Sequence, residues 1–232
     1  GDYYEMGAIN RGQIRTGSFT FDGCTFNNLE NLKASLGAVD GWADSDTNGK
    51  PVPTVSEGVV FKFVNSKSEN PVMIVGQGLA NANIELTGAK ASLKKFRDGT
   101  AVSEGTSDFA IASGKSWNFN SGLELGKGDD AATLTNNGTL NITASTPTML
   151  QDALAVGANK IGLTKGEFVL TSQLKLSKPV SISGVITDKD TTTIVAAAAG
   201  AWTQCADKND STLLNIVSSD KVSLNNLNIK NS

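Results

Sequence analysis

The end of the chain constrains its fold more than any other part. Two stretches, Leu174-Lys-Leu-Ser-Lys-Pro-Val-Ser-Ile-Ser-Gly184 and Leu213-Leu-Asn-Ile-Val-Ser-Ser-Asp-Lys-Val-Ser-Leu-Asn-Asn-Leu-Asn-Ile-Lys-Asn-Ser232, alternate aliphatic residues with Lys, Ser and Asn. The aliphatic pairs are Leu174/Leu176, Val180/Ile182, Leu214/Ile216, Val222/Leu224 and Leu227/Ile229. Successive residues of a strand face opposite sides, so each pair marks a short strand with one buried face. The turns between them are too cramped for long hairpins. They suit a chain that coils and lays each strand on its equivalent one round earlier. On that reading Leu214, Ile216, Leu224, Leu227 and Ile229 point into one narrow core.

Aligning Leu174/Leu176 with Leu214/Ile216, and Val180/Ile182 with Val222/Leu224, gives repeats of 40 and 42 residues. That is long for one coil. Residues 196–211, Ala-rich and then polar, read as an insertion whose removal leaves a coil in the low-to-middle twenties. Asn225 or Asn226 stands where the chain must turn sharply, and Asn tolerates the left-handed conformation. A helix signal precedes the strands at Thr146-Pro-Thr-Met-Leu-Gln-Asp-Ala-Leu-Ala-Val-Gly157. Pro147 suits a first helical position, Thr148 and Gln151 have capping-box spacing, and Gly157 is a natural stop. Leu150, Ala153, Leu154 and Gly157 share a face. A solenoid's end exposes its core and unpaired strand edges, and a short amphipathic helix is a suitable lid. A domain boundary is therefore expected near residue 145, between a region 1–145 and a region 146–232.

Region 146–232 resembles the N-terminal cap and first coils of a right-handed parallel β-helix of the pectate-lyase-like superfamily. The resemblance rests on the helix at 149–156, the Gly166-Glu-Phe-Val-Leu strand, the Leu-Ser-Lys-Pro-Val-Ser-Ile-Ser-Gly turn and the Val-Ser-Leu-Asn-Asn-Leu-Asn-Ile-Lys-Asn-Ser coil. It covers a little over a third of the chain. It implies a fold rather than an activity, because that superfamily includes lyases, hydrolases, adhesins and phage tail proteins. Its lyases use calcium-bound acids with a basic residue that abstracts a proton, and its hydrolases use an acid cluster in mid-solenoid. Residues 146–232 contain no Arg, and Lys175, Lys178, Lys221 and Lys230 read as solvated strand or turn positions. Neither catalytic signature carries over.

Region 1–145 offers strand candidates at 18–21, 59–64, 72–75, 83–87, 92–96, 109–112, 116–120, 122–125, 132–135 and 139–143. Asp22-Gly23, Asp98-Gly99 and Asn137-Gly138 supply turn signals. Many short strands at close spacing predict an all-β sandwich or jelly roll. The alternative is further solenoid, since Ser18-Phe-Thr-Phe-Asp-Gly-Cys-Thr-Phe-Asn-Asn28 also passes as a coil. Residues 27–37 are expected to hold a short helix.

The net charge of −3 and the absence of a basic cluster argue against a nucleic-acid partner. The longest bland run, Ile194-Val-Ala-Ala-Ala-Ala-Gly200, is far too short for a membrane span. The opening Gly1-Asp2 is no signal peptide, and is read as the start of a chain whose targeting segment has been removed. Abundant Gly, Ser, Thr and Asn with only 6% aromatic residues suit a secreted or cell-surface β protein. Cys24 and Cys205 are the only cysteines, and both one disulfide and two separate thiols remain open. The chain has no histidine. That removes the commonest zinc ligand, the usual general base at neutral pH and every Ser-His or Cys-His nucleophile pair.

Asp44-Ser-Asp46-Thr-Asn48-Gly49-Lys50 carries the alternate oxygen side chains of half a Ca²⁺ loop. Asp44, Asp46 and Asn48 are its candidate ligands. Val55 stands where an EF-hand needs its bidentate Glu, and a polar turn is the competing reading. The acid pairs Asp129/Asp130, Asp188/Asp190 and Asp207/Asp210 are adjacent or alternate on loops. Glycosidases need two carboxyls facing across a bond, which such spacing does not show. Exposed aromatic rings stack on sugar faces. Trp202, in the proposed insertion, and Trp42, beside the Asp44 loop, are the candidate glycan contacts. Trp117, alternating with Phe119, reads as core. The chain is thus expected to be a non-catalytic binding or adhesion module for a glycan or surface polysaccharide. The alternatives are the front of a polysaccharide lyase or hydrolase, and a tail-fibre-like structural solenoid. The end of the last coil is expected to be covered by self-association or by further coils.

Overall fold

The computed structural model describes residues 18–23, 25–26, 35–36, 60–64, 67–68, 72–74, 80, 83–88, 90–93, 108–128, 131–203, 212–218 and 220–230. These are mostly strands, and the protein is all-β. The chain divides into two units, Gly1–Leu140 and Asn141–Ser232.

In the first unit, strands follow one another in groups of three. β1 (Ser18–Asp22), β2 (Thr25–Phe26) and β3 (Ser35–Leu36) precede β4 (Val60–Val64), β5 (Lys67–Ser68) and β6 (Val72–Ile74). Then come β7 (Asn83–Leu86), β8 (Ala91–Leu93) and β9 (Asp108–Ile111), followed by β10 (Ser116–Phe119), β11 (Leu123–Leu125) and β12 (Thr133–Asn136). The leading strands β1, β4, β7 and β10 lie side by side in that order. A second sheet runs β3, β6, β8, β11, while β2 pairs with β5 and β9 with β12. Every ladder among these described strands is parallel.

Parallel neighbours cannot be joined by a tight hairpin, because the chain must first travel back to the same end. The pairing therefore departs from the sandwich expected for residues 1–145, whose sheets are antiparallel. It is compatible with the alternative, further solenoid. Asn137-Gly138 shows the difference locally. It joins β12 to β13 (Thr139–Ala144), which lie in different sheets, so it makes a corner and not a hairpin. The Asn136 Oδ1 accepts from the Gly138 N–H at 3.2 Å, and the Asn137 and Thr139 N–H groups donate to the Ile111 and Lys115 carbonyls. Of the helix expected at 27–37, Ser35 and Leu36 are strand instead, and the remainder lies outside the described residues.

Two in-register columns run through the leading sheet of this unit. Phe19, Phe61, Ile84 and Trp117 form one, and Phe21, Phe63, Leu86 and Phe119 the other. Ile84, Leu86, Trp117 and Phe119 are fully buried. The rings of Trp117 and Phe119 stand 6.0 Å apart at 54°. Trp117 is a core residue, as its alternation with Phe119 indicated.

In the second unit, α1 (Pro147–Ala155) leads into β14 (Lys160–Leu163), β15 (Gly166–Leu170) and β16 (Leu174–Leu176). The same order recurs in β17 (Val180–Ser183), β18 (Thr192–Ala196) and β19 (Leu214–Ile216), then in β20 (Val222–Asn225) and β21 (Asn228–Lys230). β14, β17 and β20 share one sheet, β15, β18 and β21 another, and β16 pairs with β19. All these ladders are parallel. Leu174 lies opposite Leu214, Leu176 opposite Ile216, Val180 opposite Val222 and Ile182 opposite Leu224. This is the alignment that the aliphatic pattern implied. A chain that visits three sheets repeatedly in one order, with parallel in-register partners, is compatible with a solenoid.

The helix forms where its end signals lie. Thr146 is the N-cap, accepting from the Met149 N–H at 3.2 Å, and Pro147 follows at the first position. Thr148 is thus inside the helix and does not cap it. Proline cannot donate, so it fits the first helical position, and the cap falls on the residue before it. At the other end the Ala158 N–H donates to the Ala153 carbonyl and the Gly157 N–H to the Leu154 carbonyl. That is a Schellman closure, and it needs a left-handed residue, supplied by Gly157 at φ 75°. Leu150, Ala153 and Val156 are buried, and the helix packs on β14 and β15.

Ile142, Ile161, Leu170, Phe168, Leu174, Leu176, Ile182 and Ile194 form the core of this unit. Burying each such side chain stabilises the fold by about 1.5–3 kcal/mol. Burial stops abruptly at the last strands. Leu176 and Ile194 are 0% exposed, whereas their register partners Ile216 and Ile229 are 53% and 46% exposed. Leu224, opposite the buried Ile182, is half-buried. The expected inward registration of Leu214, Ile216, Leu224 and Ile229 is therefore present, while Leu227 lies just before β21 and is partly buried. Full burial is absent, because β19, β20 and β21 have a described neighbour on one side only.

Candidate functional site

Outward positions of the β14, β17 and β20 sheet form two polar rows. Lys160, Ser181 and Ser223 are register partners, as are Gly162, Ser183 and Asn225. Lys160 and Asn225 are exposed, and the four others are partly exposed. The rows exist because each strand alternates, with Ile161, Val180 and Ile182 turned to the core and Ser or Asn turned away. Adjacent strands lie about 4.8 Å apart, so the hydroxyls of Ser181 and Ser223 in one row, and the hydroxyl and amide of Ser183 and Asn225 in the other, stand at that spacing. Each Ser offers one donor and two acceptor positions, and Asn offers two of each. Such a face can hydrogen-bond an extended, hydroxyl-rich ligand without excluding water.

Corner residues hold the rows in place. The Gly184 N–H donates to the Asn225 carbonyl at 2.9 Å. Thr192, fully buried, donates its hydroxyl to the Thr164 carbonyl at 2.9 Å and accepts from the Val185 N–H at 2.8 Å. Asn226 takes the left-handed conformation at φ 49°, so of the two candidate asparagines it is the one at the turn. A second network joins β16 to β19. Gln173 donates to the Thr212 hydroxyl at 2.8 Å, and Asn215 donates to the Gln173 amide oxygen at 3.0 Å. Sequence reasoning singled out none of Gln173, Thr192 or Asn215. Their only signal was an amide or hydroxyl at a strand end, which many surface positions share.

Trp202 directly follows a short 3-10 turn, Ala199–Ala201, and is partly exposed. The strand before it keeps its pairing through Ala197, whose N–H donates to the Leu170 carbonyl, and Ala196 and Ala197 are buried. The insertion therefore leaves the strand after Ala197 and not at residue 196. Trp202 belongs to the chain leaving β18, and so to the side of the β15, β18 and β21 sheet rather than to the polar rows. Trp42, Asp44, Asp46 and Asn48 lie outside the described residues, as do Cys24 and Cys205.

Of the acid pairs, Asp129/Asp130 and Asp207/Asp210 lie outside the described residues, and Asp188/Asp190 share one turn. Asp190 pairs with Lys165 at 3.0 Å, and its N–H donates to the Thr187 hydroxyl. Asp188 sits in the turn between the bridged residues Ile186 and Thr191. Glu124 accepts from Lys90 at 2.5 Å and from the buried Ser92 hydroxyl at 3.3 Å, across neighbouring strands β8 and β11. Lys175, Lys178, Lys221 and Lys230 are exposed. Among the described residues no three His, Cys, Asp or Glu side chains gather as a metal site. No described helix is long and apolar enough to cross a membrane. Models of known protein families, curated proteins and solved structures give no match to this chain.

Proposed function

We propose that this chain is a non-catalytic extracellular or cell-surface binding module, built on a right-handed parallel β-helix of pectate-lyase-like type, whose ligand is a glycan or surface polysaccharide. The observation that carries the reading is the pair of outward rows, Lys160, Ser181, Ser223 and Gly162, Ser183, Asn225. Ser181 and Ser223 in one row, and Ser183 and Asn225 in the other, offer neutral donors and acceptors on a parallel sheet, with Lys160 heading the first row. Away from these rows, the partly exposed indole of Trp202 is a separate candidate contact, a ring of the kind that stacks on sugars. The chain has no histidine to activate a serine beside them. A glycan-array screen of the whole chain tests this. Binding to at least one neutral or weakly acidic polysaccharide is expected, with Ser181→Val combined with Ser223→Val weakening it at least ~10-fold, about 1.4 kcal/mol, at unchanged melting temperature. A chain that binds no glycan at millimolar concentration, or that cleaves one, overturns the reading.

A second reading, a structural solenoid completed by self-association or by further coils, is favoured by the half-exposed edge of β19, β20 and β21. Ile216, Val217 and Ile229 are each about half exposed there. Unpaired strand edges beside exposed aliphatic side chains recruit other strands. Light scattering over a concentration series is expected to show association that Ile216→Lys combined with Ile229→Lys abolishes. A chain that stays monomeric at every concentration, with β19, β20 and β21 ordered, removes this reading and leaves the first standing.

A further inference from the structure

We draw no further inference here: the strongest candidate, the exposed edge of β19, β20 and β21 around Ile216 and Ile229, belongs to the second reading already given, and nothing in the structure shows what covers it.

Discussion

Ile182→Asp is expected to destabilise the second unit more than any other substitution discussed. Ile182 is 0% exposed and stands between its register partners Ile161 and Leu224. A carboxylate there has no described cation beside it, and an uncompensated buried charge costs on the order of 3–5 kcal/mol. That is a large part of the ~5–15 kcal/mol that holds a domain together. The same substitution at Leu224 is expected to cost clearly less, because Leu224 is only half-buried and water reaches the new charge. Thermal melting followed by circular dichroism reads both variants. The order Ile182 worse than Leu224 is the result that the burial pattern requires. Equal losses would mean that Leu224 is as enclosed as Ile182, and that the strand edge beyond it is covered in solution.

Gly184→Ala is expected to be the most damaging single-methyl change in the second unit. A β-carbon at Gly184 would stand 2.6 Å from the Asn226 carbonyl oxygen and 2.6 Å from the Thr192 β-carbon. Neither neighbour is free to yield. Thr192 is fully buried with its hydroxyl engaged twice, and Asn226 is already at φ 49°. Overpacking of this kind costs about 1–3 kcal/mol, and for a unit of this size each kcal/mol lowers the melting temperature by roughly 4–8 °C. A Gly184→Ala variant that melts within ~2 °C of the parent would show that Asn226 and Thr192 can give way at this corner.

Much of the strand pattern was legible because alternation is a local property. Each of the ten candidate segments in residues 1–145 overlaps a strand, and the alignment of Val180/Ile182 with Val222/Leu224 reproduces the register. Alternation has the same period in parallel and antiparallel sheets. Nothing in Ser18-Phe-Thr-Phe, for example, states which way its neighbour runs. The two-residue strands β2, β3 and β5 were missed because two residues carry no period. Asn137-Gly138 was legible as a turn, but the same residues serve a hairpin and a corner, so the pair left open where the next strand goes. The helix was legible from Pro147 and Gly157, while its cap was displaced by two residues because threonines flank the proline on both sides.

The candidate site was less legible than the fold. Lys160, Ser181 and Ser223 are ordinary surface residues until parallel pairing brings them into one row. Aromatic residues, which are conspicuous in a sequence, divided between roles that burial alone distinguishes. Trp117 is fully buried, while Trp202 is partly exposed.

The core and the polar rows of the second unit depend on parallel, in-register stacking of β14, β17 and β20, and one cross-linking experiment tests it most directly. In a background with Cys24→Ser and Cys205→Ser, the pair Ser181→Cys and Ser223→Cys is oxidised mildly, and its rate is compared with that of Ser181→Cys and Asn225→Cys. Register partners on adjacent strands lie about 4.8 Å apart, within the ~4.4–6.8 Å between α-carbons that a disulfide spans. The offset pair is separated by roughly 7–8 Å and falls outside that range. Fast, near-complete closure of the 181–223 pair in folded protein, with little closure of the 181–225 pair, is the predicted result. Equal closure of both pairs, or faster closure of the offset pair, would contradict the stack.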